Sequence, residues 1–287
     1  MGLAVKTPTV PFHTWLPPAH TDAPATGSAV LAGVLLKMGT YGFVRVAMAL
    51  LPDAWRAWAP AIITVGVVSV LYGALVALAQ GNLKRMIAYT SVNHMGYIVL
   101  ALGAAGALGG PSGGAAGPSG LGSTAVTGAV TQMVSHGLVT GALFLLAGVL
   151  QDRAGTYDMG AYGGLARPAP RYAGFFAVAA FASLGLPGFS GFIAEFQVFA
   201  GSIGLVPAAA LALPGIVITA ALFLRALQRV FTGEPKGRSA GFTDLRPAEM
   251  VSAGGLLALS AVVGLFPAAL LAAISPAADT AAALMGR

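Results

Sequence analysis

The stretch that decides the fold runs from Pro24 to Leu50 and reads PATGSAVLAGVLLKMGTYGFVRVAMAL. It is long enough for a helix to cross a bilayer, because about 20 residues at 1.5 Å each span ~30 Å. Lys37 lies at its middle. A lysine at that depth costs about 2.5–3.5 kcal/mol on insertion scales, so its ammonium group should face the protein interior or a hydrated cavity. The alternative is a lysine whose stem extends to the membrane surface, but the central position disfavours it.

The composition of the chain is that of a polytopic helical membrane protein. Of its 287 residues 57% are hydrophobic and 8% are charged, with a mean hydropathy of +0.83, whereas soluble proteins carry about 25% charged residues. The absence of cysteine excludes disulfides, thiolate metal sites and cysteine-ligated iron–sulfur clusters. The net charge of +6 comes from short loops between apolar segments, which indicates membrane topology and not nucleic-acid binding.

Apolar and proline patterning predict an all-α transmembrane bundle with about seven full spans. Residues 6–22 hold too many prolines for a regular helix, which predicts a partial broken helix at the N-terminus that enters an interfacial loop. A discontinuous helix is expected near 185–191, where Pro187 removes a backbone donor and the adjacent glycines permit chain reversal. The predicted spans are about 24–50, 59–80, 85–107, 124–150, 171–203, 206–231 and 249–275.

Residues 1–287 are expected to form a single membrane domain, in which the Gly-rich segment 102–122 is a flexible loop. Basic residues concentrate in one set of alternate loops, and positive charge is retained on the cytoplasmic side. This pattern predicts a multi-pass protein of the cell inner (plasma) membrane whose C-terminus lies on the non-cytoplasmic side. The basic set comprises Lys84, Arg85, Arg153, Arg167, Arg171, Arg229, Lys236, Arg238 and Arg246, against Arg45, Arg56 and Arg287 in the other set.

Three more ionisable residues lie inside predicted spans. Glu195 follows the break at 185–191, and broken helices at membrane depth mark ion sites in transporters. His94 and His136 lie a third to a half of the way along their spans, beside other polar residues. Each histidine alone is equally well explained as a structural hydrogen bonder between helices. Together with Lys37 and Glu195 they favour a proton relay, because histidine changes its protonation near neutral pH.

The remaining candidates lie in the proline-rich N-terminal stretch. His13 and His20 are expected near an interface in structural roles, and Lys6 is ambiguous because it lies near the chain start. Burial disfavours the charged form of amines and carboxyls alike, so a buried set of such groups, bridged by water, can exchange protons. No nucleotide loop, haem ligand set, flavin fingerprint or metal cluster is recognisable, so no cofactor or metal is expected in this chain and the driving energy must come from outside it.

Five motifs of the chain are distinctive: KTPTVPFHTWLP at 6–17, AHTDAP at 19–24, LAGVLLKMGTYG at 31–42, GNLKRMIAYTSVNHMG at 81–96 and GLPGFSGFIAEF at 185–196. Together they resemble the antiporter-like membrane subunits of respiratory complex I, the NADH-quinone oxidoreductase. The resemblance runs through nearly the whole chain and is strongest to the subunit M branch, the mitochondrial chain 4 type. In that branch the broken helix carries a glutamate, here Glu195, where the sister subunits and the multi-subunit cation/proton antiporters typically have lysine.

The resemblance implies a proton-translocating subunit of NADH:quinone oxidoreductase, a translocase that couples electron transfer elsewhere in the complex to proton movement. It implies that Lys6 matches the lysine of the first broken helix, Lys37 the central-axis lysine, His94 and His136 relay histidines, and Glu195 the terminal exchange residue. The implied partners are other membrane subunits of complex I, the lipid bilayer and protons, with no nucleic acid. NADH, flavin, iron–sulfur clusters and quinone are expected in partner subunits.

Two departures from the family pattern affect these expectations. Pro18 stands where the family usually has aspartate. The family's first half, with the glutamate that pairs with the lysine matched by Lys6, is missing, so the chain is expected to be N-terminally truncated and to hold the C-terminal half of the antiporter-like fold. Two alternatives remain: a component of a multi-subunit cation/proton antiporter, which neighbouring antiporter genes would support, and a non-pumping membrane scaffold, which an in-frame upstream coding segment would argue against.

Overall fold

The computed structural model describes residues 2–107 and 119–286, and these residues form a helical bundle without β-strands. Six helical segments of this part are long and apolar enough to cross a membrane. The predicted all-α membrane fold is therefore confirmed. We number the helices α1 Gly2–Lys6, α2 Leu16–Asp22, α3 Ala25–Met48, α4 Pro52–Ala79, α5 Leu83–Gly106, α6 Ser119–Ala154, α7 Pro170–Ser183, α8 Ser190–Leu205, α9 Pro214–Phe231, α10 Pro247–Leu265 and α11 Ala268–Met285.

The N-terminal segment forms the predicted broken helix, but the break lies inside the bundle and not at an interface. Between α1 and α2, the Val10 N–H donates a hydrogen bond of 2.9 Å to the Ser69 hydroxyl, well inside α4. The Trp15 indole N–H donates to the Val5 carbonyl at 2.9 Å and so bridges the break. Pro8 and Pro11 lie between α1 and α2. Because proline cannot donate a backbone hydrogen bond, they interrupt the helix, and neighbouring side chains bond to the backbone groups that the break leaves free.

Helices α4 and α5 pack with their backbones in close approach, and α5 is buried along almost its whole length. A Cβ atom on Gly66 of α4 would lie 2.7 Å from the Leu100 Cα atom, and one on Gly96 of α5 would lie 2.8 Å from the Val70 nitrogen. Small residues at such crossings let membrane helices approach closely. This packing fixes the position of α5, which carries His94.

The predicted discontinuous helix is present, with α7 and α8 separated by Leu184–Phe189. Gly185 and Gly188 have φ values of +69° and +102°, a region that residues with a Cβ atom rarely adopt. Pro187 between them cannot continue a helix. The break places Glu195 near the start of α8.

The C-terminal region differs from the single span predicted at 249–275. It forms two helices, α10 and α11, because Pro267 interrupts the helix after Phe266. The Arg56 guanidinium donates hydrogen bonds to the carbonyls of Leu284 and Met285 at 3.5 and 3.3 Å. Helix α11 therefore ends at the same end of the bundle as Arg56.

The predicted loop at 102–122 is shorter than expected at both ends. Helix α5 continues to Gly106 and α6 begins at Ser119, while residues 108–118 of this prediction lie outside the described part of the chain.

The loops at the end of the bundle opposite Arg56 form one connected layer. The Met159 N–H donates to the Gly81 carbonyl at 2.9 Å, and the Lys236 N–H donates to the Gly163 carbonyl at 3.1 Å. The Arg153 guanidinium binds both carboxylate oxygens of Glu249, at 3.1 and 2.6 Å. The loops that the sequence assigns to one side of the membrane thus lie together.

Candidate functional site

Lys37 lies between two π-helical turns of α3, Leu31–Leu35 and Phe43–Met48. Such turns are rare and occur frequently at functional sites. The Lys37 ammonium group turns inward, where it contacts the Ala32 carbonyl and lies 2.6 Å from Nδ1 of His136. The lysine is therefore bound to groups of the protein and does not extend to the membrane surface.

His136 on α6 and His94 on α5 continue from Lys37 into the core. Their ring centroids are 5.4 Å apart, and both side chains are buried. Nε2 of His136 and Nδ1 of His94 have no hydrogen-bond partner among the described residues. Buried polar atoms are normally satisfied by protein groups or ordered water, so each of these two nitrogens retains an unused hydrogen-bonding position.

Glu195 lies apart from this group. Its side chain is 8% exposed and packs against the break, so that a Cβ atom on Gly185 would lie 2.5 Å from its Oε2 atom. A cavity of about 470 Å³ adjoins it, lined mainly by apolar side chains of α8 and by Leu213 and Ile216. Among the described residues, no hydrogen bond joins Glu195 to either histidine.

A buried chain of three hydroxyls ties the two parts of the site together. The hydroxyl of Ser190, the first residue of α8, lies 2.8 Å from that of Ser135 on α6 and 2.7 Å from that of Ser260 on α10. Ser135 precedes His136, and Ser190 lies five residues before Glu195. The hydroxyl chain therefore fixes α8 relative to the helix that carries the histidine.

Lys6 occupies the last residue of α1 and is only half-buried. Within residues 2–107 and 119–286 its side chain has no hydrogen bond or ion pair. Its backbone packs against Gly39 of α3, two residues from Lys37. The structure thus brings Lys37, His136 and His94 into one group, but it leaves Lys6 and Glu195 outside direct contact with that group.

His20 and Lys84 are two residues that sequence reasoning undervalued. His20 is fully buried and stacks on Phe144 at 4.4 Å, and neither of its ring nitrogens has a partner among the described residues. Lys84 is 1% exposed, and its ammonium group donates to the Ala23 carbonyl at 2.5 Å. His13 is also buried, so both histidines lie inside the bundle, and their expected place near an interface in structural roles stays a prediction.

A sequence signal for both residues existed. His20 follows the apolar Leu16 by four residues, and side chains at i and i+4 share one face of a helix. Lys84 shares a helix face with the apolar Ile87 and Ala88, three and four residues further on, and it points about 100° away from Arg85. These spacings indicate that His20 and Lys84 face the core.

Comparison with known proteins identifies the family of this chain. Residues 1–222 match the NADH:quinone oxidoreductase/Mrp antiporter transmembrane family. The chain belongs to this family. Family members that it resembles include NADH-quinone oxidoreductase subunit M of Rickettsia bellii, 41% identical over 273 residues, which cover 94% of this chain and 52% of the relative. Chain 4 2 of the NAD(P)H-quinone oxidoreductase of Thermosynechococcus vestitus is 41% identical over 280 residues, 93% of this chain and 49% of that protein.

Solved structures of the antiporter family show the same fold. A chain of respiratory complex I from Thermus thermophilus with bound NADH superposes with a TM-score of 0.88 at 33% identity, covering 99% of this chain and 57% of that one. A chain of the Mrp complex from Dietzia sp. gives a TM-score of 0.83 at 23% identity, covering 99% and 57%, a likeness of fold alone. The chain spans about half the length of the curated relatives that it matches.

Proposed function

We propose that this chain carries the proton-conducting site of a membrane subunit of an NADH:quinone oxidoreductase, acting as part of a proton-translocating complex. The observation that carries the proposal is the 2.6 Å contact between the Lys37 ammonium group and Nδ1 of His136, with the His94 ring next to it. An ionisable residue inside a membrane bundle is functional by default, since its burial is costly. Here three such residues from three helices meet.

The chemistry follows from the two nitrogens of imidazole. When Lys37 donates its proton to Nδ1 of His136, the imidazolium releases its other proton from Nε2, which faces the bundle interior without a partner. His94 accepts it directly or through water. Each step transfers one proton: the donor becomes neutral and the acceptor takes up the positive charge, so the charge moves with the proton from Lys37 to His136 and then to His94.

Glu195 is the proposed exchange residue at the far end of this route, and Lys6 belongs to the same route at its near end. The carboxyl at position 195 favours the quinone oxidoreductase branch, because the resembled antiporter components have lysine there. Subunit M of Rickettsia bellii, at 41% identity, supports the same branch. The second candidate function, a cation/proton antiporter component, is supported by the shared fold of the Dietzia Mrp chain.

Partners and cofactors follow from the proposed function. Other membrane subunits of the complex would cover the exposed apolar surfaces, and electron transfer through NADH, flavin, iron–sulfur clusters and quinone would take place in partner subunits. The absence of cysteine supports this division, since the usual iron–sulfur clusters need thiolate ligands.

The side of the membrane is also a proposal. The basic loop layer is assigned to the cytoplasm, so the end of α11 beside Arg56 lies on the non-cytoplasmic side of the inner membrane. These 287 residues contain no cysteine, so an introduced cysteine adds a labelling site that the unmodified complex lacks. In sealed right-side-out vesicles, Asp53→Cys should react with an impermeant maleimide and Glu234→Cys should react only after lysis. The reverse pattern would contradict the assignment.

The function is tested by Glu195→Gln in the full-length subunit of the assembled complex. We expect proton transfer through this subunit to fall by about 10²-fold, the usual effect of losing a group that exchanges protons, so fewer protons are taken up per NADH oxidised. Dye-monitored proton uptake by inverted vesicles measures this ratio, and NADH oxidation by ferricyanide reports intact redox subunits.

Glu234→Gln is the matched control, because Glu234 makes an exposed ion pair with Arg167 in the loop layer and such pairs contribute little. A Glu195→Gln variant with the proton-to-electron ratio of this control would reject the proposed function. Proton uptake driven by a sodium gradient without NADH would favour the antiporter candidate.

A further inference from the structure

The proposed relay has a gap between His94 and Glu195, because no hydrogen bond within the described residues joins the two side chains. One polar cluster lies in this region, formed by Asn93 and Tyr97 of α5 and Thr219 of α9. Asn93 and Tyr97 are four residues apart and share one helix face, and Asn93 is next to His94. All three side chains are buried.

The Tyr97 hydroxyl lies within this polar cluster. It is 3.7 Å from the position that a Cβ atom on Gly215 would take, and the Asn93 amide nitrogen is 3.6 Å from the same position. The Asn93 amide donates to the Val70 carbonyl at 3.0 Å and to the Thr219 hydroxyl at 3.4 Å. Oδ1 of Asn93 has no partner among the described residues. The cluster therefore retains a hydrogen-bond acceptor that a water molecule can occupy.

The Tyr97 ring also contacts groups on both sides of the gap. Its centroid is 5.8 Å from that of His94 and 5.3 Å from that of Phe199. Phe199 follows Glu195 by one turn of α8, so it shares a face with the carboxyl group. Tyr97 thus packs between the last histidine and the helix that carries the acid.

A cavity beside Glu195 lies next to the polar cluster. Its volume is about 470 Å³, and its lining includes Glu195, Phe199, Leu213 and Ile216. Gly215, beside which the Tyr97 hydroxyl lies, is between these last two residues in sequence, and the Phe199 ring contacts that of Tyr97. Tyr97 therefore lies behind the wall of the cavity that Glu195 lines.

A buried hydroxyl costs free energy unless polar groups accompany it, and the side chains of Asn93 and Thr219 accompany that of Tyr97. On the basis of the proposed function, we propose that Tyr97 is a proton-conducting residue, and that its hydroxyl, positioned by Asn93 and Thr219, carries protons between His94 and Glu195. The hydroxyl gives its own proton to water on the Glu195 side and accepts one from the His94 side. One O–H bond breaks as another forms, and no net charge remains on the phenol.

The test is Tyr97→Phe in the full-length subunit of the assembled complex, measured as protons taken up per NADH oxidised by inverted vesicles. Because the ring is kept and only the hydroxyl is lost, we expect proton transfer to fall by at least about tenfold, with ferricyanide reduction unchanged. Tyr172→Phe is the matched control: Tyr172 is fully buried, and its hydroxyl donates to the Leu146 carbonyl at 3.0 Å, far from the relay. Its proton-to-electron ratio should stay that of the unmodified complex.

Combining Tyr97→Phe with Glu195→Gln separates conduction from mere support of the fold. Residues on one route are not additive, so the double variant should pump no less than Glu195→Gln alone. A further loss in the double variant would show a structural role and overturn the inference. A wild-type ratio in Tyr97→Phe, with Glu195→Gln still impaired, would overturn it as well and leave the proposed function standing. If the complex with Tyr97→Phe does not assemble, the same measurement is made on Thr219→Val. A lowered number of protons taken up per NADH oxidised would support the route, and an unchanged number would reject it.

Discussion

Replacing Lys37 by methionine should stop proton transfer through this subunit while the complex still assembles. Methionine fills a similar volume and leaves Nδ1 of His136 without the proton donor that lies 2.6 Å from it. Loss of a proton-transferring group typically lowers such a rate by about 10²–10⁴-fold. In inverted vesicles with the full-length subunit, protons taken up per NADH oxidised should therefore drop, with ferricyanide reduction unaffected.

Two further variants separate charge from proton exchange. Lys37→Arg keeps a positive charge but places a group that does not release its proton, so it should fail to conduct as Lys37→Met does. Arg45→Met removes a cation from the same helix at an exposed position, and it should conduct normally. Normal proton uptake in an assembled Lys37→Met complex would reject proton transfer by Lys37. Proton uptake retained by Lys37→Arg would show that only the positive charge at this position is needed.

Gly96→Leu should prevent stable packing of α4 on α5. Even a Cβ atom on Gly96 would lie 2.8 Å from the Val70 nitrogen and 3.0 Å from the Gly66 carbonyl oxygen, and backbone atoms cannot move aside as a flexible side chain can. Overpacking of this kind costs about 1–3 kcal/mol or more. The thermal unfolding midpoint of the full-length subunit in detergent should fall, and less subunit should be recovered in the complex.

Gly255→Leu is the control for this variant. Gly255 lies on α10, exposed, and a Cβ atom there would have no neighbouring atom within 4 Å. Its unfolding midpoint should match that of the unmodified subunit. Equal midpoints for Gly96→Leu and Gly255→Leu would show that the close approach of α4 and α5 is not required. Because Gly96 is two residues from His94, the same variant should also disturb the relay.

The sequence was informative wherever a single residue type has a strong physical consequence. Pro187 with its flanking glycines predicts a break, and the structure has the break at Leu184–Phe189. A lysine at the centre of an apolar span predicts an inward-facing ammonium group, and that of Lys37 contacts His136. The same reasoning was available for Phe266-Pro267, but the apolar run around it concealed the boundary between α10 and α11.

Other features depend on contacts between distant parts of the chain and were not predictable. Lys37 and His136 are 99 positions apart, and their pairing depends on how α3 packs against α6. The stacking of His20 on Phe144 likewise joins residues far apart in the chain, so the sequence alone did not indicate it. The gap before Glu195 also became visible only once α5, α8 and α9 were placed.

The π-helical turns of α3 determine the direction in which Lys37 points. A π turn holds one more residue than an α turn, and each residue advances the helix by about 100°. If Leu31–Leu35 rewound to regular α geometry, the lysine would rotate by about that angle relative to the preceding helix, away from its imidazole acceptor. A change of one residue in helical winding would therefore separate the Lys37 ammonium group from His136 without any movement of the surrounding helices.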